Sequence, residues 1–169
     1  TLNWQSFNIG ANQTVDFVQP GSSSIAVNRI FSNTPSEIYG HLDANGQVWL
    51  INPNGILFGQ GAQVNVGGLV ASTLDVDNDS LLSDTRTFSG SGTGSIVNKG
   101  TITAANGGYV ALLGNNVSNQ GVVSAQLGTV ALGGGSAVTL TFSGNQLLHV
   151  QVDQSTLNNL VENGELIMA

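Results

Sequence analysis

The chain has 169 residues, of which 40% are hydrophobic and 8% are charged, and it contains 23 glycines and no cysteine. This hydrophobic fraction supports a packed core and excludes a wholly disordered chain, while the absence of cysteine excludes disulfides and thiolate chemistry. The net charge is −7 with only three Lys and Arg, which argues against binding to nucleic acids and disfavours binding to anionic membrane surfaces. No apolar run approaches the roughly 18 residues that membrane insertion needs.

Residues 1–45 contain short apolar segments without a regular repeat, and we interpret them as a segment close to an N-terminal cap. Aromatic side chains are concentrated in the first third of the chain, at Trp4, Phe7, Phe17, Phe31, Tyr39 and Trp49. Such side chains usually fill a core or a cap, but exposed aromatic rings also bind sugars or a partner strand. The sequence favours packing and leaves binding open.

Residues 46–135 are predicted to form the coils of a solenoid. The segments 48–51, 56–58, 64–66 and 69–74 are apolar, and turn signals separate them. The sharpest signal is Asn52-Pro53-Asn54-Gly55, hereafter the NPNG turn. Proline presets φ at the second position, Asn54 tolerates unusual dihedral angles, and glycine has no Cβ to restrict it. The immediate role of this motif is expected to be a tight turn between two strands.

An internal repeat between residues 98 and 132 indicates the architecture. Asn98-Lys99-Gly100-Thr101-Ile102 recurs as Asn119-Gln120-Gly121-Val122-Val123, and Gly108-Tyr109-Val110-Ala111-Leu112 recurs as Gly128-Thr129-Val130-Ala131-Leu132. A period of about 20 residues is typical of a solenoid, and stacking at about 4.8 Å buries the alternate apolar residues of each strand. The sequence therefore predicts an all-β fold, a right-handed parallel β-helix. Its turns are predicted to carry a stacked amide ladder formed by Asn98, Asn119 and Asn163.

Some segments of the single domain over residues 1–169 are expected to lie outside the coils. Residues 75–94 are polar and predict an extra-helical loop or hairpin, and residues 138–152 predict an extra-helical β-hairpin. Residues 155–163 predict one short helix, capped by Ser155 and ended by Gly164. Residues 165–169 resemble the first strand of another coil, so we expect the coils to continue beyond Ala169.

No constellation for catalysis or metal binding is evident. Residues 100–136 contain no Asp, Glu, Lys, Arg or His, whereas glycoside hydrolysis needs two facing carboxylates. Asp75-Val76-Asp77-Asn78-Asp79 begins like a calcium loop, but Ser80 stands where that loop needs glycine. We therefore predict no catalytic residue, no metal and no cofactor, and we keep a polysaccharide-acting β-helix enzyme as a remote alternative.

Three stretches carry a family resemblance. Asn3-Trp4-Gln5-Ser6-Phe7, Val27-Asn28-Arg29-Ile30 and residues 46–59, which include the NPNG turn, resemble the two-partner-secretion domain. This domain, also called the haemagglutination-activity domain, belongs to large bacterial exoproteins of the filamentous haemagglutinin and high-molecular-weight adhesin type. The residues that carry the signature are Asn3, Trp4, Phe7, Asn28 and Arg29.

The resemblance implies a right-handed parallel β-helix at the N-terminus of a much longer exported adhesin. It also implies recognition in the periplasm by the POTRA domains of an outer-membrane TpsB-type transporter, and a protein that is secreted or displayed on a Gram-negative-type cell surface. Asn52, Pro53, Asn54 and Gly55 would then matter for secretion and for the fold. The family's capping strands precede the Asn3 segment and are not in this sequence, so we expect an uncapped first coil. A host or matrix receptor of the downstream exoprotein is a further expected partner, and a direct adhesin that binds a glycan or protein is the alternative function.

Overall fold

The structure is a computed structural model that describes residues 1–154, 160–164 and 166–169. These residues contain a 3-10 helix at Asp79–Leu82, and no helix among them is long and apolar enough to cross a lipid bilayer. The strands are, in chain order, β1 (Leu2–Trp4), β2 (Thr14–Phe17), β3 (Ile25–Ile30), β4 (Ser36–Ile38), β5 (His41–Ala44), β6 (Gln47–Ile51), β7 (Ile56–Phe58), β8 (Gln63–Ser72), β9 (Asp75–Val76), β10 (Thr85–Ser89), β11 (Ser95–Asn98), β12 (Thr101–Gly114), β13 (Asn116–Asn119), β14 (Val122–Ser124), β15 (Thr129–Gly134), β16 (Ala137–Ser143), β17 (Gln146–Gln154), β18 (Leu160–Asn163) and β19 (Leu166–Met168).

Most strands stack in parallel and form a β-helix. The main sheet has ten strands, in which β1, β3, β6, β8, β12, β14 and β19 are successive neighbours and β2, β5 and β15 pair at its sides. The opposite sheet contains β4, β7, β11, β13 and β18. Leu50 pairs with Ala71 and Leu112 with Leu132, so a rung takes about twenty residues, as the sequence period predicts. The parallel β-helix is thereby confirmed.

The internal repeat sets the register of the stacked strands. Asn98 pairs with Asn119 in the opposite sheet, and Leu112 pairs with Leu132 in the main sheet. Equivalent residues of the repeat therefore occupy equivalent positions in successive rungs. The interval from Ala71 to its partner Leu112 is about twice a normal rung because the chain leaves the solenoid between them.

The inner core lies between the main sheet and the opposite sheet. Inward-facing residues of the main sheet pack against apolar residues of the opposite sheet; examples are Leu50, Leu69 and Leu112 on one side and Phe58 and Ile96 on the other. All five side chains are fully buried. This core follows from the alternation of apolar residues along each strand, since alternate side chains point to the same face.

The solenoid begins earlier than the sequence predicts. Residues 1–45 were expected to form a segment close to a cap, but β1 to β5 all pair with strands of the coils. Their strands were missed because they are short and because turns of varied length separate them, so no fixed period marks them. Coils therefore occupy the chain from Leu2 onwards rather than from Gly46.

An extra-helical sheet lies against the outside of the solenoid. It is antiparallel, in the order β17, β16, β10, β9, so residues 75–94 and 138–152 both contribute to it. The strands β16 and β17 form the hairpin, closed by Gly144 and Asn145. Beneath this sheet lies a second core, in which Trp49, Val70 and Tyr109 of the main sheet pack with Phe88 and Leu140. The middle strands of the main sheet are thus buried on both faces.

The predicted helix over residues 155–163 is wrong where the structure can test it. Leu160–Asn163 is strand β18, which pairs with β13, while residues 155–159 lie outside the described residues. In the sequence, the spacing of Leu157, Leu160 and Val161 is compatible with a helix. In the structure, Leu160–Asn163 is a strand because it pairs in parallel with Asn116–Asn119. The following segment, Leu166–Met168, pairs with β14 as the first strand of a further coil.

Candidate functional site

The NPNG turn connects β6 to β7. The amide of Gly55 donates to the carbonyl of Asn52 at 2.9 Å, and the Asn52 side-chain oxygen accepts from the amide of Asn54 at 3.0 Å. The backbone of Gly55 has a φ angle of 108°, which residues with a Cβ atom rarely adopt. Of the two residues to which the sequence assigned conformational freedom, Asn54 and Gly55, it is Gly55 that adopts the unusual dihedral angle.

The side-chain amides of the turn bind the preceding rung. Asn52 is fully buried and donates to the hydroxyl of Ser36 at 3.1 Å and to the carbonyl of Thr34 at 3.2 Å. Asn54 donates to the carbonyl of Ser32 at 2.5 Å. The two asparagines thus join the turn to residues 32–36, the segment that leads into β4 and contains its first residue.

The next rung lies directly on the other side of the turn. A Cβ atom placed on Gly55 would lie 2.7 Å from the carbonyl oxygen of Ser95, and a Cβ on Gly92 would lie 2.7 Å from that of Pro53. A Cβ on Gly94 would lie 2.5 Å from the amide nitrogen of Gly55. Glycine is required at these positions because the two backbones are in close contact.

The predicted signature residues meet at the first rung. The indole of Trp4 donates to Asn28 at 2.9 Å, and the amide of the buried Asn28 donates to the carbonyl of Trp49 at 3.1 Å. Trp4 and Phe7 make an edge-to-face contact with ring centroids 5.2 Å apart. Asn3 lies in β1 opposite Arg29 of β3. The structure therefore brings these residues together, but on the rung beside the NPNG turn rather than within it.

Among the signature residues, Arg29 makes hydrogen bonds to the partners that are most distant in the sequence. Its Nε donates to the carboxylate of Asp75 at 2.9 Å, its Nη1 to the side chain of Asn78 at 2.8 Å and its Nη2 to the carbonyl of Val76 at 2.6 Å. The residues that begin like a calcium loop thus hold an arginine. Among the described residues, no group of three or more His, Asp or Glu could hold a metal ion.

A buried polar cluster under the extra-helical sheet was not predicted. Trp49 donates to the hydroxyl of Tyr109 at 2.8 Å, and this hydroxyl donates to Gln47 at 2.6 Å. The amide of Gln47 donates in turn to Asn145 in the hairpin turn at 3.2 Å. The only signal in the sequence is that segments such as 48–51 and 109–113 are apolar at every position, which is typical of strands buried on both faces.

Burial shifts the proton affinities in this cluster. Desolvation raises the pKa of Tyr109, and the hydrogen bond from Trp49 opposes that change. Desolvation lowers the pKa of Arg86, whose guanidinium lies 4.6 Å from the ring centroid of Phe142 and 5.3 Å from that of Trp49. The cluster fastens the extra-helical sheet to the solenoid through stacking and hydrogen bonds.

The aromatic residues of the first third of the chain divide into two groups. Phe7 and Trp49 are buried, and Trp4 and Phe17 pack against the inner core. Phe31 is 64% exposed and Tyr39 is 37% exposed. Packing therefore accounts for most of them, and Phe31 and Tyr39 remain on the surface.

Comparison with known proteins identifies the family. The family model described as "TPS secretion domain" matches residues 1–169, the whole chain. The chain belongs to the TPS secretion domain family. This TPS domain is similar to the crystal structure of the HMW1 secretion domain from Haemophilus influenzae, with a TM-score of 0.90 and 38% sequence identity. That likeness covers 98% of this chain and 45% of the other.

Two curated relatives are named heme/hemopexin-binding protein. The TPS domain is 36% identical over 183 residues to the one from Haemophilus influenzae strain Rd, which covers 99% of this chain and 19% of that protein. It is 44% identical over 87 residues to another from Haemophilus influenzae, covering 52% of this chain and 9% of that protein. The chain therefore spans about a fifth of the length of the first relative. It is a secretion domain of the kind that large exoproteins carry, and its family is not known for enzymes.

Proposed function

We propose that the POTRA domains of a cognate outer-membrane TpsB-type transporter recognise this TPS domain in the periplasm and so start export of the polypeptide that carries it. The exported product is then secreted or held on the surface of a Gram-negative-type bacterium. The observation that carries the proposal is the match of the whole chain to the family, and the TM-score of 0.90 against the HMW1 secretion domain supports it.

Capture of the chain before it folds fits the architecture. In the folded domain β6 is paired with β3 on one side and with β8 on the other, so its main-chain groups are already satisfied. An unfolded segment has these groups free and can add a strand to the edge of a POTRA sheet. Folding by pairing between distant segments is slow, which leaves time for that capture.

The NPNG turn acts while the first rungs fold outside the cell, and this folding favours forward movement of the rest of the chain through the transporter. Asn52 and Asn54 join the turn to the preceding rung, and the contacts of Trp4, Phe7 and Asn28 hold the first rung in place. A correctly closed rung offers free strand edges on which the following rung pairs. Folding of the first rungs outside the cell then templates the folding of the exported adhesin.

An export assay tests the proposal. Residues 1–169 are expressed with a periplasmic signal, with and without the cognate transporter, and the chain in the medium is measured. We expect export only with the transporter, and reduced export and reduced protease resistance for the double variant Asn52→Ala, Asn54→Ala. Asn106→Ala, at an exposed position within β12, is the matched control. Export without the transporter, or a double variant that behaves like the control, would contradict the proposal.

Direct adhesion is the second candidate, and exposed Phe31 is the observation that favours it. Aromatic rings on a surface stack on sugars. Saturable binding of the isolated domain to one class of sugar on a glycan array, lost in Phe31→Ala, would support adhesion. No binding to any glycan would leave export as the function of this domain.

Binding of heme or hemopexin is proposed for the longer polypeptide and not for this domain. The basis is the name of the two curated relatives, of which this chain covers the smaller part. A pull-down with hemopexin that succeeds for the whole exoprotein and fails for residues 1–169 is expected. Binding by residues 1–169 alone would assign the property to the secretion domain.

A further inference from the structure

We propose that Arg29 is a positioning residue for the NPNG turn. It anchors the start of the extra-helical excursion, residues 75–94, and thereby holds the returning segment, residues 90–95, on the turn. The inference concerns the folded domain and stands apart from the proposed export function, because neither a transporter nor an export assay enters its test.

The guanidinium of Arg29 is committed to the first four residues of the excursion. Three of its nitrogens donate to Asp75, Val76 and Asn78, at distances from 2.6 to 2.9 Å. The side chain of Arg29 is 13% exposed and that of Asp75 is 56% exposed. A planar guanidinium with three partners fixes direction as well as distance, so Arg29 sets the angle at which the chain leaves the solenoid.

Arg29 lies next to the NPNG turn. In the main sheet it pairs with Ile51, the residue that precedes Asn52. One small cavity of about 50 Å³ is lined by Arg29, Ile51, Pro53 and Asp75, together with Ile30 and Phe31. The excursion therefore begins at the same place on the solenoid as the turn.

The excursion also ends at the NPNG turn. Gly92 and Gly94 lie against Pro53 and Gly55 without room for a Cβ atom, and Ser95 begins β11 beside Gly55. Both ends of residues 75–94 thus meet one site, and between them Arg86 lies against the ring of Phe142. Asp75 and Val76, which Arg29 holds, pair with Ser89 and Phe88 of β10, so the anchored start of the excursion lies directly beside the strand that leads into residues 90–95. Loss of the anchor at Arg29 is therefore expected to loosen the contact between residues 90–95 and the turn.

Native-state hydrogen exchange tests the inference, with Arg29→Ala compared with Lys99→Ala. Lys99 is an exposed cation, so both variants lose one positive charge. We expect Arg29→Ala to speed exchange in residues 85–98 by about tenfold or more, as loss of charge-assisted hydrogen bonds implies, and to leave residues 101–124 unchanged. Arg29→Lys keeps one charge but not the three-way geometry, so an intermediate increase is expected, and it replaces Arg29→Ala if that variant does not fold.

A double-mutant comparison links the anchor to the turn. Gly94→Ala forces residues 90–95 away from the NPNG turn directly, so the double variant should speed exchange, relative to the unchanged chain, by much less than the product of the two single effects. Gly21→Ala is the control, since a Cβ there meets no atom within 4 Å. Multiplying effects for Arg29→Ala and Gly94→Ala, equal acceleration in all strands, or no change in residues 85–98 would each overturn the inference.

Discussion

Asn52 and Asn54 belong to the same turn but differ in burial. Asn52 is fully buried and takes part in three side-chain hydrogen bonds, whereas Asn54 is exposed and its side chain makes one to the carbonyl of Ser32. Loss of Asn52 leaves buried partners unsatisfied, so Asn52→Ala should lower the free energy of unfolding by about 2–3 kcal/mol and Asn54→Ala by about 1 kcal/mol. Urea denaturation measures both. Equal losses would mean that burial of Asn52 does not decide its contribution.

Tyr109 makes the stability of the domain depend on alkaline pH. Burial raises the pKa of its phenol above the ordinary value, which is about 10 in an unfolded chain. Above that pH the unfolded chain loses this proton while the folded chain keeps it, so the free energy of unfolding falls as pH rises.

The variant Tyr109→Phe separates this effect from the hydrogen bonds of the phenol. At pH 7 it should be less stable than the unchanged chain by about 1–3 kcal/mol, because Trp49 and Gln47 lose a buried partner. Between pH 9 and pH 11 its urea midpoint should fall less steeply than that of the unchanged chain. Parallel pH profiles for the two chains would show that Tyr109 does not cause the dependence.

At the level of single residues, the sequence predicted the turn but not its partners. Asn-Pro-Asn-Gly has a local conformational preference, which needs no knowledge of the rest of the fold. The contacts of Asn52 with Ser36 and of Arg29 with Asp75 join residues that only the stacking of rungs brings together. Such contacts depend on the length of each rung, and rungs of irregular length have no signal in one sequence.

The amide ladder is the element whose prediction was confirmed in most detail. Asn98 donates to Asn119 at 3.0 Å, and Asn119 donates to Asn163 at 2.9 Å. The middle residue also accepts from the amide of Gly121 and donates to the carbonyl of Leu166. The sequence predicted this ladder because asparagine recurs at one position of successive rungs. Side-chain amides that lie one above another in this way can form hydrogen bonds with each other.

Position in the ladder should decide the effect of each substitution. Asn119→Ala removes bonds on both sides and should lower the free energy of unfolding by about 2–4 kcal/mol, whereas Asn163→Ala, at the last described position of the ladder, should lower it by about 1 kcal/mol. Thermal or urea unfolding measures the order. A larger loss for Asn163 than for Asn119 would contradict the ladder as a stabilising element.

The wrong helix and the missed second core have one common cause at the level of elements. Leu160–Asn163 is a strand because it stacks on Asn116–Asn119, and segment 109–113 is apolar throughout because a second sheet covers it. Both outcomes are set by what lies next to the segment. Local periodicity carries no information on that neighbour.

At the scale of the whole molecule, the inner core and the second core predict two layers, the solenoid and the extra-helical sheet, of which the second can unfold without the first. Phe88 is fully buried in the second core, close to Trp49, so Phe88→Ala should lower the free energy of unfolding by about 3–5 kcal/mol. Proteolysis should then cut first within residues 75–94 and 137–154, while the solenoid strands stay protected. Val117→Ala, buried in the inner core, is the comparison, and cleavage at the same sites in both variants would contradict separable layers.

Binding to the transporter tests the central claim most directly. Residues 1–169 are offered to the periplasmic POTRA domains of the cognate transporter, either freshly diluted from urea or after refolding is complete, and the dissociation constant is measured for each. Capture before folding predicts that the freshly diluted chain binds more tightly and that binding declines as β-sheet forms. Equal or tighter binding by the refolded domain would contradict the claim that the transporter recognises the extended chain.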